Sequence, residues 1–269
     1  MTKSTEPATG ELEFEFAEFF REIRGFKAMA MSFLDPGAEQ ALDQLQSSLS
    51  NIQSSAPLDR ILPGTRGRPW EIYDWQPILT KPTRSYERGE REGGPRVFAK
   101  ITSIWEVLPA AKKSKLDVPR RFKLAGKASV RVEWREEVSD EPEGRSLGVW
   151  RMEIADGASP GCFFHTQIMG EASCIEPQFP HAVPVPRLPS IAFTPMCVLE
   201  FVLGELFQDE WTGHTRVITP EVEDWRGIQY RRLKNLYDWQ IKLIAGSETP
   251  PWTILKCEKP ENGRFLNSP

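Results

Sequence analysis

From Phe122 to Glu136 the chain alternates with a period of two. Ala128, Val130, Val132 and Trp134 fall on one side, and Lys127, Ser129, Arg131, Glu133 and Arg135 on the other. Only a strand with one face buried and one face wet sorts a sequence this way, because successive strand side chains point to opposite faces. Three more strands accompany it. Val97 to Val107 is rich in β-branched and aromatic residues. Ser146 to Ile154 sets Leu147, Val149, Arg151 and Glu153 against Gly148, Trp150, Met152 and Ile154. Gly161 to Met169 places Phe163, His165 and Gln167 on one side. The last three strands are joined by short connections holding Asp140, Pro142, Gly144, Asp156, Gly157 and Pro160. Parallel pairing would need crossovers of roughly a dozen residues, so the spacing predicts an antiparallel meander.

Helical periodicity frames these strands. Leu12, Phe16, Phe19, Ile23, Phe26, Ala30 and Phe33 recur at spacings of three and four, and Asp35-Pro36-Gly37 stops the run. A second helix over 38–52 carries Leu42, Leu45 and Leu49 on one face, so the two read as an antiparallel hairpin. Thr194-Pro195 is a helix start, with threonine as N-cap and proline at the first helical position. The helix that follows, Met196 to Phe207, is apolar nearly all round and is expected to be covered on all sides. A last helix from about 220 to 245 shows Trp225, Ile228, Leu236, Trp239 and Leu243 inward, with Arg226, Arg231, Arg232 and Lys234 outward. Trp252 to Cys257 reads as an edge strand. The expected fold is α+β, a four- to five-stranded antiparallel meander with helices packed on one face and an N-terminal helical hairpin. The expected organisation is a disordered tail over 1–10, the hairpin over 11–53, a linker and charged loop over 54–95, the α+β core over 96–257 and a tail over 258–269.

Composition bounds the function classes. Apolar residues make up 39% and charged residues 27%, ordinary for a globular domain, and no apolar run reaches the ~20 residues of a membrane span. Glu6, Glu11, Glu13 and Glu15 occupy the place of a secretory apolar core, so a cytoplasmic location and free thiols at Cys162, Cys174, Cys197 and Cys257 are expected. The net charge of -4 is unevenly spread. Between Lys81 and Arg135 fifteen cations face six acids, which leaves that segment at +9 and the remainder at -13. Such a split points to an anionic partner or to internal pairing.

Three chemistries compete for the remaining signal. Cys162, His165, Cys174 and His181 are ligand types, but their spacing fits no familiar zinc pattern, and no metal or cofactor is expected. His165 and Gln167 share a strand face, and with His181 and Arg187 they form the candidate catalytic group of a hydrolase or nuclease. Nucleophile elbows and phosphate loops are absent from the sequence. Lys112, Lys113, Lys115, Arg120, Arg121, Lys123, Lys127, Arg131 and Arg135 form a basic strip that can neutralise phosphates or carboxylates, with Trp105 and Trp134 as stacking aromatics. The preferred expectation is a non-catalytic intracellular binding or accessory protein, its basic strand face recognising nucleic acid or an acidic protein. An enzyme centred on His165 is the alternative. A structural subunit of a larger complex, contacting its partner through the N-terminal phenylalanines, is the third reading.

Overall fold

The computed structural model describes residues 12–55, 70–72, 76–86, 93–109, 118–154, 162–169, 187–190, 194–257, 260 and 266, of which 70–72, 125–127 and 187–189 by their backbone alone. Four long strands form the expected meander. They are β4 (Val97–Pro109), β5 (Arg121–Val138), β6 (Glu141–Ile154) and β7 (Phe164–Met169), each antiparallel to the next. The sheet is wider than the four or five strands expected. Short strands β1 (Glu13–Glu15), β2 (Trp70–Ile72), β3 (Ile78–Leu79) and β8 (Arg187–Pro189) raise the count to eight, all antiparallel. Segments this short carry too few residues to show a period, so backbone pairing recruits them where side-chain pattern is silent. Two of them, β2 and β3, lie in the stretch read as linker.

The tight β5–β6 turn explains a slip in their register between Glu136 and Val138. Gly144 sits there at φ 65°, and a Cβ would meet the Glu136 carbonyl oxygen at 2.3 Å and the Phe98 ring at 2.9 Å. Only glycine fits.

The alternation of β5 resolves as predicted. Ala128, Val130 and Val132 are buried, and so are Ile101 and Trp105 of β4 and Met152 of β6, which share their face. Helices α1 (Phe16–Ala30), α2 (Gly37–Ser55), α3 (Pro195–His214) and α4 (Pro220–Ala245) complete the core. Phe19 of α1 packs edge-on against Trp105, Phe201 of α3 against Trp150, and Trp239 of α4 against Phe164. These contacts all use the same sheet face. Thr194 caps α3, its hydroxyl accepting from the Cys197 N–H, and Thr219 caps α4 the same way through Val222. The apolar run of α3 ends at a kink at Gln208.

Several expectations fail for identifiable reasons. The N-terminal phenylalanines are not a partner surface, because Phe14, Phe16, Phe19 and Phe26 are wholly buried against β4, β5 and α4. Glu13 to Glu15 is a sheet strand because Phe14 stacks on Phe122, a contact that helix periodicity cannot reveal. Residues 251–257 form a short helix, α5 (Pro251–Cys257), where Pro251 suits the first turn better than a strand. The α3 helix is not covered all round, since Phe201 is 48% exposed. Among the described residues no helix is long and apolar enough to cross a membrane.

Candidate functional site

The sheet face turned away from the helices gathers the polar candidates. Register places Ser129, Glu153, His165 and Pro189 in one cross-strand row, and Arg131, Arg151, Gln167 and Arg187 in the next. Two sets of residues that sequence treated separately therefore meet on one surface. The period-two rule made each placement, and pairing brought the rows together.

His165 is only 2% exposed, and its Nδ1 lies 2.9 Å from the Cys162 carbonyl oxygen. A carbonyl only accepts, so Nδ1 carries the hydrogen and donates it. That leaves Nε2 directed to the carboxylate side, 3.4 Å from Glu153 Oε2 and without a hydrogen bond of its own. A lone pair facing a carboxylate is repulsive, so the His165–Glu153 contact is satisfied when one of the two holds a further proton. Glu153 also receives Arg151, whose Nε lies 3.0 Å from Oε1. Arg151 Nη2 donates to Gln167 Oε1 at 2.7 Å. Glu153 and Arg151 carry the centre of this cluster, and sequence reasoning did not nominate them. Their signal was their position opposite His165 and Gln167 in a two-strand register.

The basic strip divides along β5. Arg120, just before the strand, is exposed. Arg121 donates to Glu15 at 3.2 Å, and Lys123 stands opposite Glu13 in register, so β1 supplies acids to both. Arg135 is tied into the β5–β6 turn, with Nη1 2.5 Å from Glu133 Oε1 and Nη2 2.8 Å from the Gly144 carbonyl. Arg131 stands directly across from Arg151, and among the described residues no acid pairs with it. Trp105 is 3% exposed and Trp134 packs against the core, so neither is a stacking platform. Lys112, Lys113, Lys115 and His181 lie outside the described residues, as do the side chains of Lys127 and Arg187. No group of three or more metal-ligating residues occurs among the described residues, and Cys162 and Cys197 are free thiols.

A second charged cluster lies inside the helix layer. Arg232 of α4 is 0% exposed, with Nη2 2.8 Å from Glu18 Oε1 and Nη1 2.7 Å from Glu22 Oε2. Arg231 donates to Glu18 as well, and Gln229 and Thr194 donate to Glu22 Oε1 at 2.9 and 2.8 Å. The Cys197 thiol donates to Gln229 Oε1 at 2.9 Å, and burial followed by the nearby Glu22 charge pushes it up to about 12. Burial works against the charge on Arg232, but the two carboxylates outweigh it and raise its pKa. The guanidinium also stands over the Phe14 ring at 5.3 Å. Arg232 was expected outside. Its spacing of four from Ile228 and from Leu236 puts it on the inner stripe, which was the available signal. Saturated on both carboxylates, this cluster pins α1 to α4.

No protein-family model matches the chain, and neither a curated protein nor a solved structure is significantly similar to it.

Proposed function

We propose that the protein is a binding protein that recognises an anionic macromolecule through the outward face of β5. The observation that carries this is the sorting of cations along that strand. Arg121, Lys123, Arg131 and Arg135 alternate with buried Phe122, Leu124, Val130 and Val132, so they share one face. Arg120 extends the series at its start. The ion pair between Arg121 and Glu15 is half exposed and easily exchanged for a partner's anion, because exposed pairs contribute only about 0–1 kcal/mol. Lys112, Lys113 and Lys115 precede Arg120 in sequence and belong to the same proposal.

The test is a filter-binding titration of an oligonucleotide and of an acidic polypeptide at two salt concentrations. Changing Arg120, Arg121 and Lys123 together to glutamine should weaken binding and flatten the salt dependence by about 0.7–0.9 per lost phosphate contact. Unchanged affinity in the triple variant would leave the strip a solvated face.

A second reading, a hydrolase or nuclease, draws on the carboxylate-facing geometry of His165, the arrangement of a histidine oriented for proton transfer. Its depth argues for a structural role. Turnover of a phosphodiester substrate that disappears in His165→Ala would put this reading first.

A further inference from the structure

Arg131 stands apart from the other arginines of its sheet face. Arg135, two residues along the strand, lies against Glu133 Oε1 at 2.5 Å. Arg151, directly across on β6, lies against Glu153 Oε1 at 3.0 Å. Each of these arginines has a glutamate two positions away on its own strand. Arg131 has Ser129 and Glu133 at those positions, and Glu133 is engaged by Arg135. Like charges placed directly opposite on neighbouring strands repel, so Arg131 and Arg151 together leave a local excess of positive charge. The surface alternates arginine with carboxylate, and one carboxylate is missing.

We infer that Arg131 anchors a carboxylate side chain from an extended acidic peptide segment of a partner protein, laid across β5 and β6. This rests on the reading that the face takes an anionic macromolecule, and it names that macromolecule's chemistry. A guanidinium fork matches a carboxylate through two parallel hydrogen bonds, the contact its neighbours already approach. Nucleic acid fits less well on two counts. Single strands bind by stacking bases on aromatic side chains, and the candidates Trp105 and Trp134 turn to the helix side. A phosphodiester backbone also carries a charge at every nucleotide, so a strand centred on Arg131 brings further negative charge over Glu133 and Glu153. Like-charge juxtaposition of that kind is costly. An extended peptide places one carboxylate on Arg131 and neutral side chains over the two glutamates, because its own side chains alternate.

The experiment titrates the full chain into two fluorescein-labelled probes, followed by anisotropy at two salt concentrations. One probe is a short peptide of alternating glutamate and threonine, and the other is an oligothymidylate of equal length. The peptide should bind more tightly than the oligonucleotide. Arg131→Gln should weaken the peptide by about tenfold, the scale of a charge-assisted bidentate contact. Arg131→Lys should restore little of this, since a lysine is a point charge without the fork. It also carries the test should the glutamine variant fold poorly. Peptide affinity unchanged in both variants overturns the inference. So does an oligonucleotide that binds more tightly than the peptide, which would make the partner a nucleic acid. If the Arg120, Arg121 and Lys123 triple variant loses binding while the Arg131 variants do not, the basic-face reading stands and the Arg131 site falls. If neither probe binds the unaltered protein, both fall.

Discussion

Glu18 and Glu22 lie four apart on α1, so both carboxylates point to the same side and meet one guanidinium from α4. Removing these charges from water costs several kcal/mol each, and only the near-complete pairing around Arg232 offsets it. Arg232→Met should therefore destabilise the protein by about 3–5 kcal/mol in a denaturant titration, because it strands two buried carboxylates. Replacing Glu18, Glu22 and Arg232 together by apolar residues of similar volume should recover most of that loss. A triple variant as unstable as the single one would show that the network contributes more than mutual neutralisation. Glu200 of α3 is a different case. Burial pushes its carboxyl from 4.5 up to about 7, the Trp225 indole N–H pulls it down, and the Glu22 charge adds to the rise. A raised carboxyl pKa means that the folded state keeps a proton the unfolded chain has released. Stability from this group is therefore highest below pH 4.5 and falls by about 2–3 kcal/mol between pH 4.5 and about 7, then levels off. Glu200→Gln should remove that slope and leave the variant more stable than the parent at pH 8. Parallel pH profiles of the two proteins would refute the assignment.

At the scale of elements, α3 offers an internal control. Leu203 is wholly buried and Phe201 is 48% exposed, two positions apart on the same helix. Leu203→Ala should cost about 2–5 kcal/mol, the transfer term plus a cavity. Phe201→Ala should cost much less, because it gives up little more than its edge contact with Trp150. Equal losses would mean that α3 is covered on both sides after all. The α1–α4 interface admits no such tolerance. A Cβ at Gly25 would stand 2.9 Å from the Glu221 carbonyl oxygen and 3.2 Å from Trp225 Cβ. The two helices approach through that glycine, and this closeness lets Arg232 reach both carboxylates. Amphipathic spacing placed the helices well, because each buries one stripe. It did not place β1, β2, β3 or β8, which exist only because a longer neighbour offers them unpaired backbone groups.

Across the whole molecule the charge split is partly answered from within. Arg96 pairs with Glu137, Lys100 with Glu143 and Arg121 with Glu15, each joining the basic segment to an acid just beyond it. These pairs lie at the surface, so they contribute little to stability and leave the cations available. The triple change of Arg120, Arg121 and Lys123 to glutamine should shift the melting curve by no more than about 0.5 kcal/mol equivalent. A larger loss would mean that the cations serve internal neutralisation, and the binding proposal would weaken with it.

Periodicity and turn chemistry are local properties, so the four long strands, their antiparallel order and the caps of α3 and α4 could be read from residues a few positions apart. The buried face of β5 followed from alternation alone, because hydrophobic burial acts on every second residue wherever the sheet finally sits. Pairing between distant segments carries no such local signature. Nothing near Glu18 or Glu22 marks Arg232, more than two hundred residues away, as their partner. Nothing near His165 announces Glu153, and only register sets Arg131 against Arg151 without an acid. Composition counts charges, but the energy of a charge depends on what stands within a few ångströms of it. Those distances exist only after the chain has folded.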